Sequence, residues 1–469
     1  MPGSSENQST QKSSNGISIH HRLWGKLVEQ FILPIGDRLY QQGMMRNLQF
    51  LRKSQWWTRD QVTEYRDRRL ASLIELVYRE VPFYRDLMVQ SGVKPEEILH
   101  AQDLHRLPIV TKDMLRSAYP NRLVRSTGNK TYEACSSGST GAPLCIQEDS
   151  QTAGTYRAAF LLALEWLGWS IGIPHVQTGM TLTRSQGRHL KDLLLGCHYV
   201  SAYDLRDEHL DSILEYMENH KVKFLWGYPG SLYYLAKRAL QKGWNRPLLA
   251  TATWGDNLYS HYRATIEQAF GTRVFDQYGC AEGILISAQC GIENHYHVFS
   301  TDVIVEYVDD SNHPVPHNTP GNIVLTRLYP GPTPLIRYKV GDIGAPISEI
   351  MCACGRGLEL MQHIEGRDTD VVLTPSGNRL IVHFFTGILE FYPEIDYFQV
   401  TQDEIGSITL KIVPRKTIDE TLVKQILSQL HERGADLHIQ VEFVNNIPLS
   451  PSGKRRFVIN RIPKTDGIQ

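Results

Sequence analysis

The middle of the chain alternates between two kinds of segment, and this alternation restricts the fold more than any other feature of the sequence. Four short segments have the character of strands, at residues 180–183, 222–226, 248–253 and 273–275. Four longer segments have the character of helices, at residues 161–167, 210–220, 231–242 and 261–270. Alternation of this kind predicts α/β layers.

The flanking regions have different patterns. Residues 20–89 are helical in pattern, with Leu70, Leu73, Ile74 and Val77 spaced for one apolar face. Strand-like segments punctuated by Pro and Gly follow Glu282 and predict a β-rich subdomain, at residues 298–308, 322–328 and 335–338. Glycine and charged residues at 365–370 mark a candidate hinge. The remaining strands and helices predict a compact α+β cap, at residues 371–373, 382–390, 397–402, 408–412, 418–433 and 438–443.

Length and charge set limits on the class of protein. A chain of 469 residues exceeds one hydrophobic core, so two or three domains are expected. The formal charge of −1 gives no reason to expect nucleic acid or an anionic membrane as the main partner. No apolar run is long enough for a transmembrane segment. The first 18 residues are rich in Ser, Asn and Gln, which predicts a disordered tail and not a secretory signal.

The cysteines and one amphipathic segment give indications of where in the cell the protein is found. Seven scattered cysteines do not form a disulfide framework in a chain this long, so a reducing cytoplasm fits best. Residues 24–39 mix apolar residues with Lys26 and Arg38. Two interpretations stay open for this segment: an ordinary amphipathic helix packed on the domain, or a helix at a membrane surface.

A run rich in Gly, Ser and Thr at residues 136–141 offers many hydrogen-bond donors and few apolar side chains that could pack in a core. Its hydroxyls and flexible glycines suit polyphosphate, since backbone N–H groups can approach the oxygens closely. No Lys follows the second Gly at the position that a P-loop requires. The run comprises Ser136, Ser137, Gly138, Ser139, Thr140 and Gly141.

Three further segments accompany this run. Residues 276–283 place Tyr278, a turn glycine and Glu282 within a few positions. Residues 336–342 end in Asp342, which suits vicinal ribose hydroxyls, and residues 448–455 present Lys454 on a Gly-containing loop. In this order, the segments resemble the adenylate-forming superfamily of acyl-CoA synthetases, peptide-synthetase adenylation domains and luciferases.

Within that superfamily the sequence looks like the phenylacetate–CoA ligase branch, which includes CapK-like proteins. Residues 76–85 and 107–112 resemble the N-terminal signatures of the branch, and residues 352–356 and 364–368 resemble its cysteine-containing approach to the hinge. The resemblance implies a large N-terminal adenylation domain at residues 19–366, with several subdomains, and a mobile C-terminal domain at 367–469.

The resemblance also implies a reaction. ATP and Mg²⁺ would activate a small carboxylic acid as an acyl-adenylate, and CoA would take the acyl group. An amine, a hydroxyl or a carrier protein is the alternative acceptor, and a non-catalytic scaffold is a further alternative. A homodimer is compatible with the resemblance.

Each site residue takes its role from the family motif that it matches. The 136–141 run would hold the β- and γ-phosphates, Glu282 would bind Mg²⁺, and Lys454 would bridge the substrate carboxylate and the α-phosphate. Asp342 would bind the ribose hydroxyls, and Arg367 would add ribose or phosphate contacts as a catalytic residue. The adenine-binding segments would be Gly255, Asp256, Asn257, Asp276, Gln277, Tyr278 and Gly279.

Two further sets of residues are candidates with alternatives. The acid pocket could be lined by aromatic and apolar residues that could equally belong to the core, namely Trp226, Tyr228, Pro229, Trp254, Cys280 and the region of Met180. A structural Zn²⁺ could be held by Cys290, His297, Cys352 and Cys354, or these could be free thiols near a loop. His295 competes with His297 for the fourth position.

Overall fold

The chain is described by a computed structural model over most of its length. The described residues are 18–135, 144–179, 184–202, 204–280, 282–348, 350–362, 364, 366–367, 372–376, 379–380, 382–389, 392–432, 435–448 and 456–462. They divide into two compact units. The larger contains the described residues up to 340 together with 345–362, and the smaller contains 341–344 and the described residues from 364 onward.

Helices dominate the beginning of the larger unit, as the sequence predicts. They are α1 (Ile19–Leu27), α2 (Leu33–Leu39), α3 (Met44–Ser54), α4 (Arg59–Glu80), α5 (Pro82–Gln90) and α6 (Lys112–Ala118), with a π-helical segment Val28–Ile32 between α1 and α2. Helix α4 begins at a capping box in which Thr58 and Gln61 exchange hydrogen bonds. It ends before Pro82, which lacks the N–H that a continuing helix needs.

A hairpin follows, formed by β1 (Thr131–Cys135) and β2 (Cys145–Asp149), and leads into α7 (Ser150–Glu165). Asp149 begins α7 by accepting the backbone N–H groups of Gln151 and Thr152. Cys135 and Cys145 face each other across the hairpin and form a disulfide. This pairing corrects the expectation that the cysteines are unlinked, because the register of the two strands brings the thiols together.

Strands and helices then alternate, which confirms the predicted α/β character. The elements are β3 (His175–Gly179), α8 (Gln186–Leu195), β4 (Cys197–Ser201), α9 (Asp207–Asn219), β5 (Phe224–Gly227), α10 (Pro229–Gln241), β6 (Ala250–Trp254), α11 (Ser260–Phe270), β7 (Val274–Cys280), β8 (Ile284–Gln289) and β9 (Tyr296–Val298). The predicted strand at 180–183 lies outside the described residues, and β3 precedes it. Strand β4 and helix α8 were missing from the prediction.

Strands β3 to β9 and β13 (Leu360–Met361) form one sheet, in the order β4-β3-β5-β6-β7-β8-β9-β13. The first five run parallel, whereas β8, β9 and β13 are antiparallel to their neighbours. The central strands are buried along their length: β5 is buried at every residue. Such strands are typical of a sheet covered by helices on both faces.

The core of the larger unit includes a cluster that contains both sheet and helix residues. Phe224, Trp226 and Ala252 from the sheet share it with Leu48 of α3 and Leu162 of α7. All five are at most 1% exposed. Each large apolar side chain buried in this way contributes about 1.5–3 kcal/mol relative to an exposed position.

The β-rich region predicted after Glu282 is also present. It comprises β10 (Val303–Val308), β11 (Gly321–Arg327) and β12 (Tyr338–Gly344), with β11 between the other two. Residues 338–340 of β12 belong to the larger unit. Residues 342 and 343 pair with β14 (Gly366–Arg367) within the smaller unit.

The smaller unit is an α+β structure. Its remaining elements are β15 (Val372–Leu373), β16 (Arg379–Leu380), α12 (Val382–Leu389), β17 (Ile395–Glu404), β18 (Ser407–Pro414), α13 (Glu420–Glu432), β19 (His438–Phe443) and β20 (Val458–Asn460). Its four-stranded sheet has the order β19-β18-β17-β20, in which only β17 and β18 are antiparallel. The predicted fold class is confirmed, whereas the predicted domain limits and the mobility of residues 367–469 stay predictions.

Among the described residues, no helix combines the length and apolar character that crossing a bilayer requires.

Candidate functional site

The predicted site segments of the larger unit lie at one edge of the main sheet. Strands β5, β6 and β7 are parallel neighbours, so their carboxyl ends share an edge. Tyr228 follows β5, Gly255 follows β6 and Glu282 follows β7 within two residues. Ligands bind at the carboxyl ends of strands in open α/β sheets. This edge is therefore the candidate active site.

Tyr228 and Gly255 lie against each other at this edge. Gly255 has φ +77°, and a Cβ built on it would approach Cε1 of Tyr228 to 2.8 Å. Glycine is required there both by the left-handed backbone and by the ring. Asp256 and Asn257 continue this turn, where the Asn257 N–H donates to Oδ1 of Asp256 at 3.0 Å.

Asp276 faces a different environment from the one predicted for an adenine-binding residue. The motif lies inside β7 and not after it, and the Asp276 carboxylate is buried. Thr253 donates to one oxygen at 2.6 Å and Tyr296 donates to the other at 2.7 Å. Burial raises the pKa of Asp276 to about 6, although both hydrogen bonds favour the ionised form. This carboxylate ties β6, β7 and β9 together.

Gln277, the next residue, is buried and 3% exposed. Among the described residues, neither its amide oxygen nor its amide nitrogen has a hydrogen-bond partner. Buried polar atoms in folded proteins are nearly always paired, so this amide is suited to a ligand. Tyr278 is buried as well, and the bulge of β7 lies between Tyr278 and Gly279.

Glu282 is held by a residue that sequence reasoning missed. The hydroxyl of Tyr338 donates to Oε1 of Glu282 at 2.7 Å, and both side chains are buried. Tyr338 lies within the segment that ends in Asp342, but no role was predicted for it. The two partners are separated by 56 positions in the sequence, and only the packing of β12 near β7 brings them together.

The proposed acid pocket divides into core and accessible residues. Trp226 is fully buried, with its ring against those of Trp169, His175 and Phe224, so it is a core side chain. Pro229 is also buried, at the first turn of α10. The Met180 region lies outside the described residues.

Trp254 and Cys280 are half-buried and have aromatic neighbours from α7. Phe160 packs edge-on against Trp254 at 4.9 Å between centroids, and Tyr156 stacks on Phe160. Burial raises the pKa of Tyr156 to about 12, with a smaller contribution from the Cys280 sulfur. Tyr156 and Phe160 were not predicted, although their four-residue spacing places them on one face of a helix.

The four predicted zinc ligands lie together in the larger unit. Their ligand atoms are all within 4.8 Å of one another. Sγ of Cys290 is 3.6 Å from Sγ of Cys352, and Sγ of Cys354 is 3.4 Å from Nε2 of His297. These separations suit the edges of a tetrahedron with Zn–S bonds of about 2.3 Å.

The pKa values of two of these cysteines are shifted in opposite directions. Hydrogen bonds from Cys290 and, to a smaller extent, from His297 lower the pKa of Cys354. The same contact raises the pKa of Cys290. Thiolate character at Cys354 favours a cation at this position. His295 does not join the cluster, since its Nε2 lies 3.1 Å from Glu293.

The structure does not test the predicted roles of several further site residues. The run 136–141 and Lys454 lie outside the described residues. In the smaller unit, the register of β12 and β14 pairs Asp342 with Arg367. Their roles stay predictions.

Comparison with known proteins supports the resemblance. The chain matches 2-hydroxyisobutyryl-CoA ligase in the postadenylation state with a TM-score of 0.67 and 18% identity, over 84% of this chain and 88% of that chain. A phenylacetate–coenzyme A ligase of Thermus thermophilus is 24% identical over 79% of this chain and 85% of its own length. This chain is therefore similar in sequence to a phenylacetate–coenzyme A ligase and similar in fold to another CoA ligase.

The branch expected from the sequence is also supported. Protein CapK of Staphylococcus aureus is 23% identical over 85% of this chain and 89% of its own length. A family model described as the CapK C-terminal domain matches residues 372–461. Phenylacetate–CoA ligases and CapK are therefore the superfamily members to which this chain is similar.

Proposed function

We propose that this chain uses ATP to activate a carboxylic acid as an acyl-adenylate and then transfers the acyl group to CoA. The observation that carries the proposal is the edge formed by β5, β6 and β7, where Glu282 is buried and oriented by Tyr338. The relatives named as CoA ligases support CoA as the acceptor.

Glu282 is the residue that would hold Mg²⁺. Its carboxylate is a hard oxygen donor, and the Tyr338 hydroxyl occupies one of its lone pairs. The ion would offset charge as the acid attacks the α-phosphate and pyrophosphate leaves. Tyr338 would fix the carboxylate, so that Glu282 needs no reorganisation when the ion binds.

Nucleotide recognition would use the neighbouring groups. The amide of Gln277, which has no partner among the described residues, offers N–H donors and a carbonyl acceptor, which suits the edge of a purine base. Tyr278 and the turn at Gly255 would frame the base. Asp276 would act indirectly by holding β7 in register with β6 and β9.

The acid is proposed to be apolar or aromatic. Tyr156, Phe160 and Trp254 form a partly accessible aromatic wall near Cys280. Aromatic rings favour edge-on or offset contact with another ring.

A structural Zn²⁺ is proposed at Cys290, His297, Cys352 and Cys354. Four protein ligands would close a tetrahedral site, which is typical of structural zinc and leaves no position for catalysis. The ion would join β9 and its neighbouring segments to residues 352–354.

The roles of the smaller unit and of the phosphate run remain part of the proposal. Lys454 would stabilise charge on the α-phosphate during adenylation only, since transfer uses a different orientation of the C-terminal domain. Lys454→Ala should therefore slow adenylate formation severely and leave transfer from a supplied acyl-adenylate comparatively intact. Equal losses in both half-reactions would contradict this role.

A pyrophosphate-release screen over aryl, fatty, amino and sugar acids tests the function. We expect release with an aryl or apolar acid in the wild-type protein and its loss in Glu282→Gln. Glu293→Gln, outside the proposed site, is the matched control and should keep activity. No acid-dependent release, or unchanged release in Glu282→Gln, would refute the site.

Product mass identifies the acceptor. Incubation of the active acid with ATP and CoA should give the acyl-CoA thioester and AMP. A product that forms only with an added amine, hydroxyl compound or carrier protein would replace CoA by that acceptor.

A further inference from the structure

The first helical stretch of the chain exposes a continuous apolar stripe. Every fourth residue from 19 to 39 is a large apolar side chain, and each is at least 46% exposed. The stripe consists of Ile19, Leu23, Leu27, Phe31, Ile35 and Leu39. At 1.5 Å per residue, these 21 residues extend for about 30 Å.

The π-helical segment reduces the rotation of this stripe about the helix axis. In an α-helix each step of four residues advances by about 40°, so five steps would carry the stripe around the helix. In the wider turn of Val28–Ile32, the rotation per residue about the helix axis is smaller than in an α-helix, which opposes this drift of the stripe. π-Helical turns occur often at functional sites.

The opposite side of the same stretch is already packed on the domain. Gly25 is buried, and a Cβ on it would lie 2.0 Å from the carbonyl oxygen of Ile171. Val28 is fully buried in the core. An ordinary amphipathic helix would turn its apolar face inward and a polar face outward. This stretch is apolar on both sides, so its outer stripe needs another explanation.

The exposed charges beside the stripe are basic. Both acidic residues of the stretch are engaged by the protein: Glu29 pairs with Arg52 at 2.5 Å, and Asp37 accepts the N–H groups of Met44 and Met45. The exposed charged residues of the stretch include Lys26 and Arg38. The surface therefore presents an apolar stripe with positive charge beside it.

Helix α8 adds to this surface. The indole N–H of Trp24 donates to the carbonyl of Leu194 at 3.2 Å, which joins α1 to α8. Leu190 and Leu193 of α8 are 57% and 72% exposed. Arg188 is exposed, whereas Asp192 is buried and paired with Arg184.

We infer that residues 19–39 and the exposed side of α8 form a binding surface for anionic lipid bilayers. Apolar residues would enter the boundary between headgroups and acyl chains, and the cations would pair with lipid phosphates. The basic character of the exposed charges favours an anionic membrane over a second copy of this chain, which would bring like charges together. The inference does not depend on the proposed reaction.

Vesicle co-sedimentation of the full-length protein tests this surface. We expect binding to vesicles of phosphatidylcholine and phosphatidylglycerol, weaker binding to phosphatidylcholine alone, and weakening by salt. Leu23→Ser/Phe31→Ser should abolish binding. The control Leu240→Ser/Ile405→Ser removes two exposed apolar side chains elsewhere and should bind as the wild type does. Lys26→Gln/Arg38→Gln should weaken binding to anionic vesicles by about fivefold per charge.

Two results would overturn the inference. One is the absence of binding to either kind of vesicle. The other is a dimer, measured by sedimentation velocity, that Leu23→Ser/Phe31→Ser separates into monomers, because the stripe would then be covered by a second copy. Circular dichroism of each variant, with unchanged melting temperature, establishes that the fold is retained.

Discussion

Removal of one hydroxyl tests how Glu282 is positioned. In Tyr338→Phe the buried carboxylate loses the donor that lies 2.7 Å from Oε1. A hydrogen bond to a charged group contributes about 1.5–3 kcal/mol, which corresponds to a roughly ten- to hundredfold change in rate or binding. Because we propose that Glu282 holds Mg²⁺, the loss should increase the Mg²⁺ concentration that gives half-maximal ATP–pyrophosphate exchange.

Tyr296→Phe is the matched control for this prediction. Tyr296 is also buried, and its hydroxyl also lies 2.7 Å from a buried carboxylate, that of Asp276. It should lower the free energy of unfolding without changing the Mg²⁺ dependence, because Thr253 still holds Asp276. An unchanged Mg²⁺ dependence in Tyr338→Phe would refute the reasoning. An equal shift in both variants would show a general effect of β7 and not a role for Glu282.

Three further predictions concern stability and metal content. Burial lowers the pKa of His175 from 6.5 to about 4. The contribution of the neutral imidazole to the free energy of unfolding is therefore present above pH 6.5 and is lost as the pH falls through 4. His175→Phe should reduce this pH dependence of urea unfolding, and an unchanged slope between pH 7 and 5 would contradict it. Arg327→Met should lower the free energy of unfolding in urea by about 3–5 kcal/mol, because Glu148 would stay buried without its cation. Adding Glu148→Gln should recover most of this loss. If it recovers none, the loss comes from packing and not from the unpaired charge. Elemental analysis should find about one Zn²⁺ per chain in the wild type and in Cys197→Ser but little in Cys352→Ser; metal-free wild-type protein never exposed to chelator would remove the site.

Sequence reasoning was most informative where function depends on a motif within one segment. The 276–283 motif and the three adjacent residues 255–257 were identified because neighbouring residues are sufficient to recognise them. The zinc candidates were chosen because the two cysteines at 352 and 354 and an earlier Cys/His pair supply four soft or borderline ligands. The choice of His297 over His295 required the structure, because both lie in the same short segment.

The sequence by itself determined the alternation of helices and strands, the order of the motifs and the chemical types at the site. Only the tertiary structure decided which of these residues contact each other. Trp226 lies in the core while Trp254 meets Phe160, and Asp276 holds strands together while Tyr338 orients Glu282. The disulfide of Cys135 and Cys145 follows in the same way from the register of a hairpin. The physical reason is that the period of a helix or strand is a local property, whereas contacts between segments depend on how sheets and helices pack over long sequence separations.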